Sequence, residues 1–281
     1  MQLSAKAYAK INLYLDVVGK RADGYHFLDM IMQSVDIFDF ITIKENSSSE
    51  INVKCKNFDV KPEDNIVYKA CKAFLDKNNS NTGFDILIEK NIPVAAGTAG
   101  GSADAAATLK LLNTLTNTNL NEQELGEIGL SLGADVPFCL TGGTAYVSGI
   151  GEEIRRLNTP KMSYVLLKNR DKLSTGEMYK ILDSQKIIND KELSKLIKGI
   201  ENVDFELICN NIFNAFEFCW DFDEMSKQFK KYMPNKVFLS GSGPTVCALF
   251  NDEASALNCA NDLNFLNAKF TQSKNCGVEI V

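Results

Sequence analysis

Residues 92–112, IPVAAGTAGGSADAAATLKLL, set an apolar run, a glycine-rich loop and a helical pattern in succession. Such a loop aims backbone N–H groups at one point, where the positive end of the helix dipole favours an anion. Gly97, Gly100 and Gly101 leave out the Cβ atoms that would hold a phosphate away, and Ser102 can cap the helix and donate to a phosphate oxygen. Charge balance is the difficulty. The next lysine is Lys110, too deep in the helix to reach a phosphate at its start. Both the P-loop pattern G-x-x-x-x-G-K-[ST] and the dinucleotide pattern G-x-G-x-x-G are absent. Taken alone, the loop reads equally well as a tight connection with small residues for close packing.

Four other segments carry reactive groups. KINLYLDV (10–17) alternates, with Ile11, Leu13, Leu15 and Val17 on one face. Lys10 and Asn12 then sit side by side on the polar face of a half-buried strand. Asp135 in GADVPF follows a helix-ending glycine and precedes Val-Pro, where an aspartate ordinarily caps a helix. GYH places Tyr25 beside His26, the single histidine of the chain, after an Asp-Gly turn. That pair suits a planar ligand, the tyrosine by stacking and the histidine by an edge hydrogen bond. SGSGPT (240–245) has more glycine than a hairpin needs, which implies that something approaches its backbone.

In this order, AKINLYL, RADGYH, PVAAGTAGGSADAA, GADVPF and LSGSGPT resemble the small-molecule kinases of the galactokinase–homoserine kinase–mevalonate kinase–phosphomevalonate kinase (GHMP) superfamily. The resemblance runs from residue 5 to about residue 250. It implies an ATP-dependent kinase whose loop Pro93, Val94, Ala95, Ala96, Gly97, Thr98, Ala99, Gly100, Gly101, Ser102 and Ala103 wraps the ATP phosphates. It also implies Mg2+ as cofactor, with Ser102 a candidate ligand, and Lys10 and Asp135 as the catalytic lysine and aspartate. RADGYH and AKINLYL resemble the branch whose acceptor is a cytidyl diphosphate-linked polyol of isoprenoid precursor synthesis. Tyr25 and His26 would contact the cytosine, with Asn12 near the diphosphate-bearing substrate. Thr175 and Tyr179 of STGEMY would stand at the pocket wall, and Asn65 and Lys90 near the nucleotide. Thr98 and Ala99 depart from the leucine and glycine common in this loop.

The elements that must position these residues are legible in outline. EDNIVYKACKAFLDK has helical spacing with Asp64 or Asn65 as cap, and GFDILIEK is a strand ended by Pro93. A helix is expected over about 102–115 and another over NEQELGEIGLSLG, with an Asn121/Glu124 capping box and Gly133 as its stop. TAYVSGIGEEIRRL reads as a hairpin. After a polar break near 158–162 come strand YVLLKN (164–169), several helices, strand KVFLS, strand VCALF, a helix and strand AKFTQS. That order is a split βαβ, ferredoxin-like arrangement. The expectation is an α+β, two-domain GHMP-kinase fold. A β-rich nucleotide-binding domain with helices would span 1–158, and a C-terminal ferredoxin-like α/β sandwich completing the substrate site would span 159–281.

Composition narrows the function further. The 281 residues carry a net charge of −6 and no basic run, which argues against nucleic acid as a partner. Lys10 and Asp16 interrupt the only N-terminal apolar stretch, so neither a signal peptide nor a membrane span is expected. Eight cysteines include no C-x-x-C pair, so a zinc site is not expected, and most fall in apolar runs that suit buried, reduced thiols in the cytoplasm. The protein is expected to be a monomer or weak homodimer acting on small molecules. Two rivals remain: a homoserine- or mevalonate-type kinase, which leaves RADGYH unexplained, and a non-catalytic nucleotide or sugar sensor, expected to lose the Lys10/Asp135 pair. A nicotinamide-dependent oxidoreductase is disfavoured by the missing fingerprint.

Overall fold

The alternating N-terminal runs fold as two long antiparallel strands, β1 (Gln2–Lys20) and β2 (His26–Glu45). They belong to a computed structural model that describes residues 1–56, 61–168, 174–185 and 187–281. Around them an eight-stranded sheet collects β3 (Ile51–Lys56), β4 (Phe84–Glu89), β5 (Thr144–Gly149) and β6 (Glu153–Leu157). The expected hairpin is the β5–β6 pair. Helices α1 (Ile66–Lys77), α2 (Gly100–Leu115), α3 (Glu122–Leu132) and α4 (Val136–Thr141) complete this half. Asn65 caps α1 by accepting from the Val67 N–H at 2.9 Å, and the Asn121/Glu124 capping box is formed in both directions.

Helix α2 is apolar nearly all round, as a helix enclosed on every side must be. Ala103, Ala105, Ala106, Ala107, Leu109, Leu111 and Leu112 are all buried, and the helix packs against β1 and β2 and against α1, α3 and α4. It starts earlier than expected, because Ala99 turns the chain in a left-handed conformation (φ 56°) and serves as N-cap without a side-chain bond. Ser102 is therefore inside the first turn and is not the cap.

The second half runs β7 (Ser163–Lys168), α5 (Thr175–Asp183), α6 (Leu193–Asn202), α7 (Phe205–Asn211), β8 (Phe213–Asn214), α8 (Phe222–Ser226), β9 (Lys236–Leu239), β10 (Thr245–Phe250), α9 (Glu253–Asp262), β11 (Lys269–Gln272) and β12 (Val278–Ile280). Asn169, placed at the end of an expected strand, lies outside the described residues. Strand order β11-β7-β10-β9, antiparallel throughout, is the ferredoxin-like sheet. The combination of this sheet with the β-rich first half is the α+β architecture expected from the sequence. Two short strands leave the second half to join the first sheet, β12 antiparallel and β8 parallel to β1.

The half-buried reading of residues 10–17 needs correction. Every residue from Lys10 to Leu15 is buried, including Asn12 and Tyr14. A register shift between Asn12 and Tyr14 breaks the strict alternation, and the polar face is covered by backbone from residues 97–98 and 240–241.

Beside β9, the turn Ala215–Cys219 holds the half-buried Glu217, whose Oε1 accepts from the Leu239 N–H at 3.0 Å. Burial pushes this carboxyl up to about 7, opposed in part by that N–H. The folded state thus holds a proton that the unfolded chain has released between the usual glutamate range and pH 7, so stability falls as pH rises through that window. Glu217→Gln should remove the fall and stabilise the protein at pH ~8 by on the order of 3 kcal/mol, read from urea unfolding at pH ~5 and ~8. A wild-type stability that does not change over that range would contradict the raised Glu217 carboxyl.

Candidate active site

Lys10 is the most constrained charge near the glycine loop. Its Nζ donates to Asn12 Oδ1 at 2.8 Å and lies 3.6 Å from Asp135 Oδ1. The lysine side chain is 5% exposed and the aspartate 34%, so the cation is enclosed and the carboxylate reaches the cleft. Asp135 stands at the N-cap position of α4 but makes no side-chain cap bond, which sets aside its reading as an ordinary cap. Asn12 Oδ1 also accepts from the Gly241 N–H at 3.1 Å, and the Lys10 N–H donates to the Thr98 carbonyl at 3.1 Å. Strand, glycine loop and SGSGPT turn therefore meet at one polar joint. The surplus glycine of SGSGPT has its explanation here: Ser240 Oγ donates to the Gly97 carbonyl at 3.0 Å, and a Cβ on Gly241 would lie 2.9 Å from the Gly97 carbonyl oxygen, as one on Gly97 would lie 2.3 Å from that of Ser240.

A single cleft of about 1300 Å3 runs from the loop to the RADGYH turn. Lys10, Tyr25, His26, Asn65, Lys90, Pro93, Val94, Ala95, Ala96, Gly97, Ala99, Gly100, Gly101, Ser102, Asp135, Thr175 and Tyr179 all line it. Asn12, Thr98 and Ala103 do not; they are buried behind its wall. Thr98 acts through its carbonyl on Lys10, while its hydroxyl and the Asn12 Nδ2 are buried without a partner among the described residues.

At the loop end, α2 offers N–H groups of its first turn unobstructed by a side-chain cap. Gly97 and Gly100 are glycines for packing: a Cβ on Gly100 would press on Ile92 at 3.0 Å. Gly101 differs. Its Cβ would meet only Ile66 Cγ2, at an ordinary 3.5 Å, so packing does not require a glycine there. Lys90 lines this end but its charge is spoken for by Asp39 and, at 2.7 Å, by Asp104. Burial would lower the Lys90 pKa, yet the two carboxylates outweigh it and hold it up. Asp39 Oδ1 also accepts from the Ile92 N–H at 2.8 Å, fixing the start of the loop. Asp104, enclosed and with one oxygen unpartnered among the described residues, has its pKa raised well above the carboxylate range by burial.

At the other end, Tyr25 is 64% exposed on the rim, its ring open to a ligand. His26 is enclosed: Tyr179 stacks on it at 4.6 Å and 10°, and its Nε2 meets Asp183 Oδ1 at 2.7 Å. Tyr179 is held edge-on by Phe216 at 5.0 Å, and burial pushes its hydroxyl up to about 12. Asp39, Asp104 and Asp183 were missed in the sequence. Asp104, a lone acid in an alanine-rich helix, gave a signal; the other two are set by tertiary contacts alone.

Among the described residues no cluster of three or more His, Cys, Asp or Glu could hold a metal. The donors facing the loop are hard oxygens, Ser102 and Asp104, which fits a magnesium carried in by phosphates and not a protein cage.

Fold and cleft together define a small-molecule kinase of the GHMP class, and the family model for the GHMP kinases N terminal domain matches residues 65–143. The chain is 44% identical over 268 residues to 4-diphosphocytidyl-2-C-methyl-D-erythritol kinase of Clostridium beijerinckii, covering 93% of this chain and 95% of the relative. A crystal structure of 4-(cytidine 5'-diphospho)-2C-methyl-D-erythritol kinase superposes with a TM-score of 0.83 at 26% identity, covering 96% and 98%. Homoserine kinase from Cytophaga hutchinsonii shares the fold, with a TM-score of 0.77 at 17% identity and coverage of 100% and 97%. The chain belongs to the 4-diphosphocytidyl-2-C-methyl-D-erythritol kinase family.

The contrast between two glycines is testable. Gly101→Ala should fold with a wild-type melting temperature and raise KM for ATP by about tenfold or more, since only the anion's room is lost. Gly97→Ala should instead lower the melting temperature, because it meets backbone at positive φ. Unchanged ATP kinetics in Gly101→Ala would remove the loop's role.

Proposed function

We propose that this chain transfers the γ-phosphoryl group of ATP to the 2-hydroxyl of 4-diphosphocytidyl-2-C-methyl-D-erythritol, in isoprenoid precursor synthesis. The observation that carries this reading is the single cleft joining an uncapped helix N-terminus, the Lys10/Asp135 pair and the Tyr25/His26 wall. Such transfer depends on alignment and charge stabilisation more than on covalent catalysis. Asp135 orients the acceptor hydroxyl and takes its proton. Lys10 holds Asp135 in place and offsets charge developing on the transferred group. The first turn of α2 and the loop N–H groups hold the phosphates. Magnesium, when bound, would neutralise phosphate charge, and Ser102 would be the candidate to hold it. Tyr25 stacks on the cytosine, and Asn12, behind the cleft wall, acts on the substrate side only through Lys10 and the Gly241 backbone that it holds. Thr175 and Tyr179 close the acceptor wall, while Asn65 and Lys90 frame the nucleotide end.

The chain encloses this cleft by itself, so we infer a monomer or weak homodimer. No helix among the described residues is long and apolar enough to cross a membrane, and all eight cysteines are free, which supports a cytoplasmic setting.

ADP release measured with the cytidyl alcohol, homoserine and mevalonate tests the assignment. Turnover only with the cytidyl alcohol is expected; preference for either control would replace it, and binding without turnover would favour a sensor. Asp135→Asn should reduce kcat by at least ~10²-fold with ATP affinity near normal. Full turnover in that variant would exclude Asp135 as the base. Tyr25→Ala should raise KM for the cytidyl substrate far more than for ATP, by about tenfold or more if the stack is lost. Equal effects on both substrates would remove the stacking role.

A further inference from the structure

His26 can read a base edge only with the nitrogen its neighbours leave free. The Nε2 side is occupied by Asp183 Oδ1 at 2.7 Å. The other Asp183 oxygen pairs with Lys20, and the two cationic or donor partners hold this carboxyl below its usual range. An ionised carboxylate only accepts, so Nε2 carries the hydrogen and donates it. In the neutral form of the ring, Nδ1 is then the lone-pair nitrogen. Among the described residues no partner is recorded for Nδ1, and the ring lines the cleft. Tyr179, parallel to the imidazole, fixes its plane while Asp183 fixes its edge.

We propose that Asp183 is a positioning residue that sets the tautomer of His26, so that the ring presents an acceptor to the base and selects a cytidyl over a uridyl group. This rests on the reading of Tyr25 and His26 as the base-facing wall. The 4-amino group of cytosine donates to such an acceptor. The 4-oxygen of uracil brings a second lone pair to the same place and leaves two acceptors facing each other without a hydrogen. Asp183 touches no substrate in this scheme. It comes from the last residue of α5, so the helix that carries Thr175 and Tyr179 also carries the group that polarises the histidine.

Because the chain holds one histidine, its imidazole can be observed without ambiguity. Two-bond 1H–15N correlation spectra of the full-length protein at pH ~8, above the usual imidazole range, should show Nδ1 as an unprotonated acceptor and Nε2 as an N–H. Binding of cytidine 5'-diphosphate and uridine 5'-diphosphate is measured in parallel with saturating ADP in the nucleotide end. Wild type should prefer the cytidine compound by about tenfold or more. Asp183→Asn, which can donate to Nε2 and so favours the opposite tautomer, should change the spectrum and lower that preference by about tenfold. KM for ATP and the melting temperature should stay at wild-type values. Discrimination in wild type that persists in Asp183→Asn, or an Nδ1–H pattern in wild type, overturns the role of Asp183 alone. Equal binding of the two nucleotides by wild type removes the base wall itself, and with it this assignment.

Discussion

A lysine enclosed in protein must be matched on the spot, and Lys10 is matched by Asn12 Oδ1 and the Asp135 carboxylate. That requirement organises the molecule. Asn12 can serve Lys10 because both lie on β1, and Asp135 can because α4 is seated next to α2 and β1. The same Asn12 oxygen holds Gly241, and the Lys10 backbone holds Thr98, so the charge and the two glycine segments are fixed by one set of hydrogen bonds. A loop without its own lysine gains one from the strand across which it is tied.

Around this joint the charges are distributed so that each end of the cleft has its own support. Lys90, Asp39 and Asp104 sit beneath the glycine loop; Asp39 is bonded to the backbone that leads into it. With one cation between two carboxylates, burial raises the pKa of the acid that lacks a second set of donors, Asp104. Lys20, Asp183 and His26 tie β1, α5 and the start of β2 together at the acceptor end. Between these ends, where we propose that transfer takes place, Asp135 is the partly open group. An acidic chain can thus bind polyphosphates through local geometry, with paired lysines and oriented N–H groups in place of a general positive field.

Local patterns in the sequence carried the elements whose cause is local. The Asn121/Glu124 box, the Asn65 cap, the β5–β6 hairpin and the ferredoxin-like strand order follow from capping chemistry, turn residues and periodicity. What failed depended on distant chain. The polar face of 10–15 looked solvent-facing because nothing nearby in sequence covers it; the covering backbone comes from residues 97–98 and 240–241. Ser102 looked like a cap because a left-handed alanine at 99 is not what propensity favours. The sequence offered His26 as a candidate for a base edge, but its enclosure by Tyr179 and Asp183 was not legible, since α5 carries both. Thr98, the departure from family pattern, is accommodated because its carbonyl, and not its side chain, bonds Lys10.

The central claim is that transfer takes place between Lys10 and Asp135, with the phosphates on the first turn of α2. A crystal structure with a non-hydrolysable ATP analogue and 4-diphosphocytidyl-2-C-methyl-D-erythritol bound together tests it most directly. The account predicts the acceptor hydroxyl within hydrogen-bond reach of Asp135, the γ-phosphate beside Lys10 and the polyphosphate against Gly101 and Ser102. A γ-phosphate bound away from the α2 terminus, or an acceptor hydroxyl out of reach of Asp135, would contradict it.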